Sequence, residues 1–94
     1  MFDININEKG DFLLSGRFDA SQVEKAKKIF ATINESIVVN FKDLEYISSA
    51  GLGVLLMTQK RLMGSQQRLK LSGMNQHIKE IFKYAGFDNV FEIE

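Results

Sequence analysis

Cysteine and proline are both missing from this 94-residue chain, and histidine occurs once. The lack of cysteine removes disulfides and thiol chemistry and fits a reducing compartment, so a cytoplasmic location is expected. Without proline no cis-proline step slows folding. One histidine and no thiolate leave too little material for a transition-metal site, and neither a metal nor a cofactor is expected. The 12 basic and 12 acidic side chains cancel, which takes away the electrostatic basis for binding nucleic acid or an anionic membrane. No apolar run approaches the ~18 residues that would suggest a bilayer span. The start, Met1-Phe2-Asp3-Ile4-Asn5, has no basic segment followed by an apolar one, so no secretory signal is expected.

What is present describes a small folded unit. A hydrophobic fraction of 45% with eight phenylalanines supports a core and argues against disorder. No linker, repeat or low-complexity tract interrupts the chain, so residues 1–94 are expected to form one domain.

The apolar pattern predicts an α/β fold. Phe2, Ile4 and Ile6 alternate with polar residues as in a half-buried strand, Glu8-Lys9-Gly10-Asp11 reads as a turn, and Phe12 to Ser15 pairs back. Ser21 and Glu24 fit a capping box, with Val23, Ala26, Phe30 and Ile33 on one helix face and Lys25, Lys27 and Lys28 on the wet side. Ile37 to Phe41 reads as a central strand covered on both faces. A second helix is predicted from about Ala50 to Met63, with Leu52, Leu55, Leu56, Leu62 and Met63 inward and Gly64 at C′. Arg68 to Ser72 is a further strand. Asn75 caps a third helix with Ile78, Ile81, Phe82 and Ala85 inward, Gly86 ends it, and Val90 to Ile93 adds a short strand. The expected architecture is a mixed sheet of four or five strands packed by three or more helices.

The most informative stretch is Tyr46-Ile47-Ser48-Ser49-Ala50-Gly51-Leu52-Gly53-Val54-Leu55-Leu56. It places two hydroxyls between a strand and a helix, where backbone N–H groups lack intrahelical partners and the helix dipole favours negative charge. A phosphate attached there would be partly solvated by the fold, and any surface formed by the helix start would change with it. The plainer reading is that a serine before a helix is an ordinary N-cap, worth about 1 kcal/mol.

These residues resemble the STAS domain, in particular the small stand-alone anti-sigma factor antagonists of bacteria. The resemblance extends to Gly16-Arg17-Phe18-Asp19, to Ile37-Val38-Val39-Asn40-Phe41 with Asp43-Leu44, and to Tyr84-Ala85-Gly86-Phe87-Asp88-Asn89-Val90-Phe91. In that family the central motif is commonly Asp-Ser-Ser/Thr-Gly, and its first serine is phosphorylated by an anti-sigma factor that is itself a serine kinase. Aligning on Gly51 puts Ser49 at the phosphorylated position, with Ser48 as runner-up. Ser48 then stands where the family carries Asp, and Ala50 replaces the second hydroxyl.

The resemblance implies a partner-switching regulator. Unphosphorylated, it would bind a serine kinase of the histidine-kinase-like ATPase fold. Phosphorylation of Ser49 would release it, and a PP2C-type serine phosphatase would reset it. The implied partner surface is Asp19, Ser48, Ser49, Ala50, Gly51 and Leu52. The alternative is a non-switching STAS subunit of a transport or lipid-handling complex, its serines structural. Oligomeric state stays open.

Other residues carry less. Asp19 has a simple turn or cap reading beside the partner-surface one. Gly51 has helix-entry geometry beside the approach of a kinase's nucleotide. Asn40 is expected to satisfy loop backbone groups near Ser49. His77 and the lysine cluster read as solvated, and Met57 and Met63 as core or rim filler. No base is placed to activate a serine, Ser49-Ala50-Gly51 is not a nucleophile elbow, and Gly51-Leu52-Gly53 lacks the rest of a phosphate-cradling fingerprint. The chain is expected to be a substrate of a kinase and not an enzyme.

Overall fold

The alternation at Phe2, Ile4 and Ile6 forms strand β1 (Phe2–Ile6) in a computed structural model that describes residues 1–94. The Asn7 side chain organises the turn, its carbonyl oxygen accepting from the Lys9 and Asp11 N–H groups at 2.9 and 3.0 Å. Strand β2 (Phe12–Phe18) returns antiparallel to β1. Then follow α1 (Val23–Phe30), β3 (Ile37–Ile47), α2 (Ser49–Met63), β4 (Leu69–Ser72), α3 (Gln76–Tyr84) and β5 (Glu92–Ile93). The five strands lie in sequence order, and every pair after the first is parallel. The result is the expected α/β domain with a mixed five-stranded sheet and three helices.

Each crossover steps to the neighbouring strand in the same direction, so right-handed connections place all three helices on one face. Burial agrees. On β2, Phe12, Leu14 and Phe18 are buried, and on β4, Leu69 and Leu71, while the residues between them keep solvent contact. These side chains join Ala26 and Phe30 of α1, Leu52, Val54, Leu55 and Leu62 of α2, and Ile78 and Phe82 of α3 in one core of 21 residues. The expectation that the Ile37 strand is covered on both faces is therefore corrected. Val39 and Phe41 are fully buried, but Val38 and Asn40 are only half-buried.

Strand β3 is also longer than its apolar run suggests. Leu13 and Ser15 pair with Asn40 and Asp43, and Gly16 and Arg17 with Leu44 and Tyr46. At both places β3 carries one residue more than β2, so its buried positions step from Val39 and Phe41 to Leu44 and Ile47 at a spacing of three. The bulges hide the strand's period across Lys42 and Asp43, and they carry the strand to the start of α2.

Several ends differ from expectation. Asp19, not Ser21, caps the chain's entry to α1. Its carboxylate accepts from the Ser21 N–H at 3.0 Å and the Ser21 hydroxyl at 2.6 Å; Ser21 lies inside the short turn Ala20–Gln22, so Gln22 stands at the N-cap of α1, without a side-chain bond. Gly64 keeps right-handed helical geometry, and Gln66, at φ 61°, takes the left-handed conformation. Met63 is exposed, and Ala85 is an exposed C-cap and not a core residue. Asn75 and Gly86 behave as expected, Asn75 accepting from the Ile78 N–H at 2.9 Å and Gly86 turning out of α3 at φ 75°.

Two polar side chains on α2, the buried Gln59 and the exposed Arg61, tie the layer together. Gln59 donates to the Val90 carbonyl at 2.9 Å and accepts from the Leu69 N–H at 2.8 Å. Arg61 donates to the carbonyls of Ile33 and Phe30 at 2.8 and 3.0 Å, placing a cation at the end of α1 where the helix dipole favours one.

Candidate functional site

The end of β2 and the end of β3 together set the start of α2. Phe18 pairs with Ile47, and the next N–H along β3, that of Ser48, donates to the Phe18 carbonyl at 2.9 Å. This fixes Ser48 in an extended conformation at the N-cap. Its hydroxyl accepts from the Gly51 N–H at 3.1 Å, and its carbonyl accepts from the Leu52 N–H at 2.9 Å. The N–H groups of Ser49 and Ala50 keep no partner in the chain, as the opening of a helix requires.

The two serines are thus unlike. Ser48 is half-buried and holds the helix start. Ser49, the first helical residue, is exposed, and its hydroxyl enters none of the side-chain hydrogen bonds of the fold. No acidic side chain stands in the first turn of α2, so the positive end of its dipole is not offset from within the helix. A negative group added to the Ser49 oxygen would meet this end and the two open donors.

Asp19 lies alongside. The short turn Ala20–Gln22 that it caps packs against α2, and Asp19 directly follows Phe18. The Ser21 hydroxyl, joined by the Ser21 N–H, Arg17 and the N-terminus, holds the Asp19 carboxyl below the usual carboxylate range, against the opposing effect of desolvation. On the face of the sheet away from the helices, the Arg17 guanidinium stacks over the Tyr46 ring, 4.4 Å from its centre. Sequence reasoning gave Ser21 only a helix-capping part and assigned Phe18 and this stacked pair no part in the site. The signal available was their position in the segments flanking the serines.

Of the expected partner surface, Asp19, Ser48, Ser49 and Ala50 are wholly or partly accessible and come together. Gly51 and Leu52 turn inward and are buried. A Cβ on Gly51 would sit 3.0 Å from Ile47 Cγ1, 3.1 Å from Phe18 Cγ and 3.2 Å from the Phe18 carbonyl oxygen. Its lack of a side chain serves the packing of α2 on β2 and β3, and it offers no open approach for a nucleotide. Asn40 does not reach the serines. Its side chain accepts from the Lys42 N–H at 2.8 Å, and an added Cβ on Gly73 would sit 2.7 Å from its oxygen, so it belongs to the packing of β3 against the loop after β4. His77 is exposed at the start of α3. No group of three metal-ligating side chains converges anywhere, and no helix is long and apolar enough to cross a membrane.

The fold recurs in known proteins. A family model described as "Mlab, STAS domain" matches residues 8–93. BtrV of Bordetella bronchiseptica, a candidate anti-sigma factor antagonist, is 35% identical over 74 residues, which are 79% of this chain and 58% of BtrV. The chain thus spans little more than half of that relative. An anti-sigma-B factor antagonist of Listeria monocytogenes is 28% identical over 88 residues, 89% of this chain and 77% of the relative. Among solved structures, unphosphorylated SpoIIAA superposes with a TM-score of 0.76 at 20% identity, covering 100% of this chain and 88% of that one. Phosphorylated SpoIIAA of Bacillus gives 0.71 at 19% identity, covering 100% and 91%. At these identities the structural likeness speaks for the fold.

Proposed function

The chain belongs to the STAS-domain family, and we propose that it works there as an anti-sigma factor antagonist, a regulator that switches partners through phosphorylation of Ser49. Unphosphorylated, it binds a serine kinase of the histidine-kinase-like ATPase fold and frees that kinase's other client. Phosphorylation ends the complex, and a PP2C-type serine phosphatase restores the binding form. The protein itself is not a catalyst, and its relatives carry the names of antagonists.

The observation that carries this reading is the division of labour between the serines. Ser48 is engaged by the Gly51 N–H, whereas Ser49 presents a free, exposed hydroxyl at a helix start. A kinase could take the Ser49 proton and attach phosphate without unfolding the helix. The product, carrying a charge of about −2 at the centre of a docked surface, would have to be desolvated or expelled. A penalty of ~3 kcal/mol shifts affinity more than a hundredfold.

A second reading is a non-switching STAS subunit of a transport or lipid-handling complex. One observation favours it: folding alone accounts for Ser48 and Gly51. Intact mass after incubation with Mg-ATP and the source organism's ATPase-fold serine kinases separates the two. The switch requires one added phosphate on the wild type and on Ser48→Ala, and none on Ser49→Ala. No phosphate on any of them supports the fixed subunit.

A further inference from the structure

Strand β1 closes one side of the sheet, and no strand lies beyond it. The Met1 carbonyl accepts from the Arg17 N–H, and the Asn7 N–H donates to the Asp11 carbonyl, each at 3.0 Å. In an antiparallel pair such inward bonds fall on every second residue. Phe2, Ile4 and Ile6 therefore direct their N–H and C=O groups outward. An edge of this kind offers a row of unpaired groups to any other strand. The opposite edge, β5, spans only Glu92 and Ile93 and offers far less.

One side chain crosses the open edge. Of the lysines on the wet side of α1, Lys27 pairs within its own helix, with Glu24 at 4.0 Å, but Lys25 reaches the sheet. Its Nζ donates to the Phe2 carbonyl at 3.2 Å and lies 3.5 Å from Asp3 Oδ1. Phe2 is buried beneath the helices and Ile4 packs on the same core, so Asp3 between them stands on the other face. The Lys25 stem thus runs from the helix layer around the edge to a carboxylate beyond it. It occupies the outward carbonyl at the Phe2 end. No side chain bonds to the backbone of Ile4 or Ile6, and Ile6 is 61% exposed.

This edge is complementary to a second copy of itself. Antiparallel pairing of two β1 strands about Ile4 puts Ile4 opposite Ile4 and Phe2 opposite Ile6. Asp3 then faces Asn5, so no like charges oppose each other. In that register the Phe2 carbonyl has to accept from the Ile6 N–H of the second copy, and Lys25 already holds that oxygen. We propose that Lys25 guards this edge: by occupying the Phe2 carbonyl and setting a cation against Asp3, it keeps β1 from joining β1 of a second copy in one continuous sheet. Because both copies would use the same edge, the pairing closes at two chains. The proposal is independent of the reading of Ser49.

The test follows mass by sedimentation equilibrium, together with amide exchange, in the full chain as wild type, Lys25→Ala and Lys25→Arg. Lys25 is exposed on a helix and alanine is the best helix former, so Lys25→Ala should keep the fold and Tm of the wild type. Wild type and Lys25→Arg, which retains donor and charge, should stay monomeric up to about 1 mM, whereas Lys25→Ala should dimerise with a Kd of about 100 μM. Exchange at Ile4 and Ile6 should slow in the Lys25→Ala dimer and stay fast in the other two proteins. Lys25→Ala that remains monomeric over this range overturns the proposal. So does wild type or Lys25→Arg that pairs as readily, association beyond a dimer, or a dimer whose Ile4 and Ile6 amides still exchange freely.

Discussion

The Ser48 hydroxyl accepts the Gly51 N–H at 3.1 Å, so of two adjacent serines one is fastened to the helix start and the other is left free. Ser48→Ala should therefore cost about 1 kcal/mol of stability, the usual loss of an N-cap. Urea unfolding followed by circular dichroism measures it. An unchanged midpoint would mean that Ser48 does not cap α2.

Gly51→Ala should destabilise by about 1–3 kcal/mol, even though alanine is the better helix former. The new methyl would have to displace Phe18 and Ile47, which are 0% and 3% exposed, and it would press on a backbone carbonyl that cannot swing away. Thermal unfolding checks this. A gain in Tm would show that α2 can lift off the sheet at little cost.

Gln59→Leu keeps the size of a buried residue but removes the acceptor for the Leu69 N–H and the donor to the Val90 carbonyl. Leaving the Leu69 N–H without a partner in the interior should cost about 1–3 kcal/mol. Hydrogen exchange should show the loss first at Leu69 and in the segment around Val90. Wild-type protection at both would contradict the clamp.

Asp19 sets a pH dependence. Its carboxyl, held below the usual range by the Ser21 hydroxyl and N–H, is a group whose pKa is lower folded than unfolded. It binds fewer protons in the native state, so it adds stability at pH above its unfolded value. That contribution fades as pH falls below about 4, through the unfolded and then the depressed folded value. Asp19→Asn should lose this part of the acid sensitivity, read as a flatter Tm against pH between about 2 and 5. An identical slope in the two proteins would show that the Ser21 contacts do not form in solution.

Much of the fold was legible because most elements bury a single face. The alternation of Phe2 and Ile4, the 3–4 spacing of Ala26, Phe30 and Ile33, and the capped helix at Asn75 are periodic signals with one interpretation, although Ile6, which continues the first of them, is 61% exposed. The far half of β3 was not legible. Its bulges change the spacing of Phe41, Leu44 and Ile47 from two to three, and a register known only from pairing with β2 cannot be read along one strand. The entry to α1 was misjudged because Asp19 starts a short turn, Ala20–Gln22, ahead of the helix, which puts Ser21 inside that turn and not at the N-cap. Gln59 reads as a surface residue in any helix, and only the position of the chain around Leu69 and Val90 makes it a core residue. At the site, the junction of strand and helix was legible from residues 46–56. Leu52 already read as inward from its place on the apolar stripe of the helix, but the close packing of Gly51 was not legible, since it depends on where Phe18 lies beneath it.

The central claim is that phosphate on Ser49 decides whether the partner binds. The most direct measurement compares the affinity of the same kinase, with Mg-ADP, for the unphosphorylated protein and for protein purified with one phosphate on Ser49, and includes Ser49→Ala and Ser49→Asp. The account expects Ser49→Ala to bind like the unphosphorylated wild type, Ser49→Asp to bind clearly more weakly, and the phosphorylated form to bind about a hundredfold more weakly or worse. Equal affinity of the phosphorylated and unphosphorylated forms, or phosphate found on Ser48 in place of Ser49, would contradict it.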